Sequence, residues 1–198
     1  MRLCLSLVLF LAGTSGTAPL TAASLPLGAA VIAGAAGALP EPRDGSHDMD
    51  FGNGKWRTEI TIYKEPFTEH GPVVTMAGTK VATALWGGKA WLEEIEADGD
   101  GVHWEAANLF TYDPKARQWV NYYVDSKVGR FDPPHFGELR DGSLEFTWQD
   151  LVGGRTILIR GAFKDFMPDS HVYEVSRSAD GGRTWHPSFI ARVFRVRQ

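Results

Sequence analysis

The groups able to do chemistry in this chain are few and scattered. Glu94 follows Ala90 and Leu92 at every second position, and Glu105 falls in step with His103, Ala107 and Leu109. Side chains alternate across a strand, so either carboxylate can be placed on an inner face. Arg160, two residues after Leu158, offers the opposite charge that a buried carboxylate needs. Trp91 and Trp104 lie beside these positions and would supply apolar walls. Together these residues would anchor a polar group of a small ligand, or serve acid–base chemistry if two carboxylates face each other. The same residues on an outer face would be merely solvated, and alternation alone does not decide the face. The six histidines, His47, His70, His103, His135, His171 and His186, form no H-x-H or H-x-x-x-H pair, so no metal site is expected. There is no G-x-S-x-G nucleophile motif and no glycine-rich loop opening a helix. No cofactor is expected.

One motif is sharper. Ser178–Trp185 reads SADGGRTW, the S-x-D-x-G-x-T-W pattern of an Asp-box, best known from sialidase propellers. Asp180 suits an Asx-turn, Gly181 and Gly182 tolerate positive φ, and Thr184 and Trp185 begin a return strand. A propeller repeats its motif in every blade, and no second good box follows that spacing here. Asp180 and Trp185 are therefore assigned to a hairpin and not to glycan cleavage.

The elements that must position these residues are strands. From His47 onward, Asp-Gly and Gly-Gly steps punctuate segments rich in Val, Ile, Thr and aromatic residues, and all seven tryptophans lie in this region. The pattern predicts strands over 54–64, 72–84, 89–97, 102–112, 118–126, 134–140, 143–150, 155–164, 171–178 and 184–196, with no long helix. About ten meandering strands would leave open edges in a flat sheet, and closure removes them. The expected fold is all-β, an up-and-down antiparallel barrel with room for a small ligand.

The G-x-W at Gly54–Trp56, opening the first strand, resembles that of lipocalins and the wider calycin group. That resemblance implies that Trp56 closes one barrel end beneath an arginine of the last strand, Arg195 or alternatively Arg192. HDMDFGNGKWRTEI, LWGGKAWLEEIEADG, LFTYDPKARQWVNYYVDSKVGRFDPP and VSRSADGGRTW together resemble a family of mostly bacterial, calycin-like barrels of uncharacterised activity. The likeness covers nearly all of 47–198 and implies the fold without a chemistry. Related haem-binding barrels carry a glycine-rich first strand and a late proximal histidine; WRTEITIYKEP lacks those glycines, which leaves His171 or His186 as bare guesses.

The N-terminus points to export. Arg2 precedes an apolar run from Leu3 to Leu11, too short to span a bilayer and suited to a signal peptide over 1–23. LAGT resembles a lipoprotein box with Thr14 in place of the lipidated cysteine, so no membrane anchor is expected. The Ala/Gly/Pro-rich stretch 24–46 reads as a flexible linker, and the barrel domain is expected at 47–198. The only cysteine, Cys4, falls in the signal. A formal charge of −4 argues against a nucleic-acid partner. Three functions follow in order: an exported binder of a small, partly apolar molecule; a barrel hydrolase or isomerase using paired carboxylates; or a ligand-free structural or interaction module. A hollow interior distinguishes the first two from the third.

Overall fold

Alternation along each segment, interrupted by turn residues, produces ten antiparallel strands in chain order. They are β1 (Gly54–Tyr63), β2 (Val73–Leu85), β3 (Ala90–Gly99), β4 (Val102–Asp113), β5 (Gln118–Asp125), β6 (His135–Arg140), β7 (Ser143–Val152), β8 (Arg155–Met167), β9 (Ser170–Ser178) and β10 (His186–Arg195). In this computed structural model, which describes residues 43–197, β1 pairs with β10 and the sheet closes into a barrel. The expected signal peptide, Cys4 and the linker as far as residue 42 lie outside the described residues.

The turn chemistry explains the register. Asp100–Gly101 and Asp141–Gly142 both hold two successive positive φ angles, as a two-residue hairpin requires. Gly78 has a different role. A Cβ there would lie 2.0 Å from the Glu96 carbonyl oxygen and 2.6 Å from the Ala97 Cα, so only glycine lets β2 press this closely on β3.

One end of the barrel is plugged by the segment before β1. A short 3-10 helix, Asp50–Gly52, carries Met49 and Phe51 against the barrel interior. The Trp56 indole donates to the Gly52 carbonyl at 2.8 Å, and the Trp119 indole donates to the Gly45 carbonyl at 2.9 Å. The Arg195 guanidinium lies 4.0 Å over the Trp56 ring and donates to the carbonyls of Asn53 and Phe51 at 2.8 and 3.2 Å. Arg192, the alternative, is exposed on the outer face. The Gly45 amide also donates to the Tyr112 hydroxyl at 3.0 Å, which ties the segment ahead of His47 to β4. Met49 of the plug packs with Trp91, Phe110, Trp119, Leu144, Phe146 and Phe163 to form the main core of this end.

Candidate functional site

The core does not fill the barrel. Above it lies a cavity of about 1130 Å³ that reaches the other end, where the β1–β2 and β5–β6 loops contribute Phe67 and Pro133 to its lining. That volume is slightly above the range of typical small-molecule sites, about 300–1,000 Å³. The interior is therefore hollow and not filled by side chains.

The walls follow from which face each strand turns inward. On β2 the inward series is Val74, Met76, Gly78, Lys80 and Ala82; on β3 it is Trp91, Glu93, Ile95 and Ala97. One polar residue thus interrupts each apolar series, and they meet. Lys80 Nζ donates to Glu93 Oε1 at 2.8 Å, with both residues 4 % exposed. Asn108 on β4 donates to Glu93 Oε2 at 3.1 Å, and Asn121 on β5 donates to Asn108 Oδ1 at 3.0 Å. The result is a hydrogen-bonded polar band across β2–β5. Each buried polar group needs such a partner, since an unpaired buried charge is costly. The strands across from it contribute Phe163, Tyr173, Phe189 and Val193, with Arg177 and Ser188 also in the lining.

Burial sets the protonation states around the band. His171 is 3 % exposed, and desolvation, reinforced by the charges of Lys80 and Arg195, lowers its pKa to about 3. The ring is therefore neutral at physiological pH, and Nε2 accepts from Lys80 Nζ at 3.2 Å. That bond puts the ring proton on Nδ1. Burial and the nearby Glu93 hold the Tyr173 phenol well above its ordinary range, and burial pushes Tyr123 up to about 12. Nearer the mouth, desolvation also lowers the pKa of His135, which stacks on Trp148 with centroids 4.0 Å apart.

Of the residues expected at the site, Trp104 lines the cavity. Trp91 points inward but is buried in the core beneath it, 3 % exposed. Glu94 and Glu105 are exposed on the outer face, and the carboxylate that turns into the barrel is the neighbouring Glu93. The physical reason is the phase of β3: Trp91 and Ala97, at odd positions, take the interior and turn the even positions outward. Arg160 is also outside, 4.6 Å over the Trp185 ring and 3.8 Å from Glu145. Glu174 faces outward, bound to Lys164 at 2.6 Å and accepting from Ser176 at 2.7 Å. Sequence reasoning missed Lys80, Glu93, Asn108 and Asn121, and named His171 only as a guess at a haem ligand. The available signal was a lone polar residue within an otherwise apolar every-second-residue series.

Two features stand apart from the cavity. Asp180 organises the β9–β10 turn: its Oδ1 accepts from the amides of Arg183 and Thr184, both at 3.0 Å, and from Ser178 Oγ at 2.8 Å. Trp185 covers that turn, its indole donating to the Gly182 carbonyl at 3.0 Å. On the outer face, Glu96, Asp98 and His103 come together, with His103 Nδ1 2.8 Å from Asp98 Oδ1, although their sequence spacing carried no metal signature. All three are exposed, and the hydrogen bond with Asp98 accounts for the raised pKa of His103.

No protein-family model and no curated protein matches the chain. Among solved structures it is similar to the S-type phycobiliprotein lyase CPES from Guillardia theta, with a TM-score of 0.54 and 8 % identity over 79 % of this chain and 94 % of that one. EF1p2_mFAP2b bound to DFHBI aligns with a TM-score of 0.43 and 10 % identity over 77 % of this chain and 99 % of that one. The first likeness extends to the barrel fold: this chain is a closed ten-strand, calycin-like barrel.

Proposed function

We propose that this protein is an exported binding protein that holds a small, partly apolar molecule inside the barrel. The observation that carries the reading is the cavity of about 1130 Å³ with a hydrogen-bonded polar band on one wall and aromatic rings on the other. The apolar wall would supply affinity at about 25 cal/mol per Å² of ligand surface buried, before association costs are subtracted. The polar band would orient the ligand, because a misplaced ligand leaves buried groups unpaired. The export part rests on Arg2 and the apolar run from Leu3 to Leu11. N-terminal sequencing of protein from its own host should show loss of the first ~20–40 residues.

The binding reading is tested on the same native preparation. Native mass spectrometry should show a stoichiometric small molecule. Extracts that return this mass to emptied protein should change the emission of Trp104, which lines the cavity. Absence of any bound mass, together with an unresponsive emission across a broad lipophile set, would defeat the reading.

A further inference from the structure

Resting on the binding reading above, we propose that the deep end of the ligand is an uncharged oxygen acceptor, the carbonyl of an aromatic or conjugated compound, received by Lys80 and Thr58. Two unused donors point to it. Lys80 Nζ carries three N–H bonds; Glu93 Oε1 takes one at 2.8 Å and His171 Nε2 another at 3.2 Å. The third has no partner among the described residues, and the rings of Trp56 and Phe163 lie 5.6 and 5.7 Å from the nitrogen. Thr58 is 2 % exposed, and its Oγ1 is buried without a hydrogen-bond partner. The other such side-chain atom among the described residues, Trp91 Nε1, belongs to the core and not to the cavity lining. Thr58 and Lys80 both line the cavity on adjacent strands: Trp56 pairs with Lys80 and Thr58 with Gly78, which makes Thr58 and Lys80 diagonal neighbours on the inner face. A buried donor left unsatisfied costs stability, and a ligand oxygen removes that cost.

The charge balance selects a neutral acceptor. Glu93 already neutralises Lys80 within the ion pair. A ligand carboxylate would place a second negative charge beside Glu93 with no second cation in the band, and burying an uncompensated charge is more costly than one hydrogen bond returns. Each Glu93 oxygen already accepts one hydrogen bond, from Lys80 and from Asn108. The rings of Trp104, Phe163, Tyr173 and Phe189 around the same space favour a flat, unsaturated body.

Three matched probes test this on the full chain by calorimetric titration at pH 7.5: 2-acetylnaphthalene, 2-isopropylnaphthalene and 2-naphthoate. The ketone should bind at least about tenfold more tightly than either of the others, the equivalent of about 1.4 kcal/mol. Thr58→Val keeps the side-chain shape and removes the hydroxyl; it should shrink the ketone's advantage over the hydrocarbon at least about threefold. The charge-balanced double variant Lys80→Met/Glu93→Gln, with folding checked by its melting transition, should erase the advantage. Equal affinities for all three probes, or tightest binding of the naphthoate, would overturn the carbonyl assignment while the cavity reading stands. If none of the three bound, both would fall.

Discussion

The tightest constraints in this molecule act on single buried side chains. Lys80 is stable inside an apolar barrel because Glu93 and His171 share its protons. Lys80→Met should therefore cost about 3–5 kcal/mol, since it strands a buried carboxylate, and adding Glu93→Gln should recover much of that loss. Urea unfolding of the two variants decides it; a double variant no more stable than the single would mean that the pair is not coupled. His171 gives the pH dependence. Its folded pKa of about 3 is below the ordinary 6.5, so the unfolded chain takes up the proton first. The stability contributed by the neutral ring is full above about pH 6.5 and is lost as pH falls toward 3, by at most about 1.4 kcal/mol per pH unit. His135, also lowered by burial, adds in the same direction, whereas exposed His103, raised by Asp98, acts in the opposite one. The lowered carboxylates Glu174 and Asp180 lose their contributions only at more acidic pH, below the ordinary values of 4.5 and 3.8. Stability measured by urea midpoint should thus fall between pH 6.5 and 4.5, and His171→Gln should flatten that fall. Parallel slopes for variant and parent would show that another group is responsible.

At the scale of elements, the β9–β10 hairpin and the β2–β3 pair show two ways in which turn and strand chemistry specify a barrel. Asp180 gathers two amides and two hydroxyls, and these bonds hold its carboxyl well below the usual carboxylate range. Asp180→Ala should lower the melting temperature by a few degrees and leave cavity binding unchanged; lost binding at an unchanged melting temperature would assign the box a direct role. Gly78→Ala should be more damaging, because its methyl group collides with the β3 backbone and not with a movable side chain. The strands themselves were legible: Asp100–Gly101, Asp141–Gly142 and Gly153–Gly154 mark hairpins by residue type, and the closure follows from strand count. The inner face was legible on β1, where Trp56, Thr58 and Ile60 alternate with charged residues. It was not legible on β3, where Trp91-Leu92 and Glu93-Glu94 put the same chemistry on both faces, and only pairing with β2 and β4 fixes the phase. Local pattern carries no information about which polar residue meets a partner thirteen or ninety-one positions away, as Lys80 meets Glu93 and His171.

At the scale of the whole molecule, the plug and the cavity lie toward opposite ends of the barrel, and a crossed pair of substitutions tests whether they act separately. The plugged end holds Met49, Trp56 and Trp119, all at most 2 % exposed, and anchors the N-terminal segment through backbone carbonyls. None of these three lines the cavity; Trp104, by contrast, lines it and is only partly buried. Stability and binding should therefore separate. Met49→Ala removes a buried side chain from a packed core and should cost about 2–5 kcal/mol, and Trp56→Ala about 3–5 kcal/mol. Because Trp56 also borders Lys80 at 5.6 Å, Met49→Ala is the cleaner probe, and its ligand affinity should match that of the parent. Trp104→Ala should show the reverse, a smaller stability loss with weakened binding. The same ligand then reports on both: at 100 times its Kd it should raise the stability of the parent and of Met49→Ala by an equal ~2.7 kcal/mol, because linkage depends only on affinity for the folded state. A ligand increment that shrinks in Met49→Ala would show that the plug and the cavity are one cooperative unit and not two ends of a barrel with separate roles.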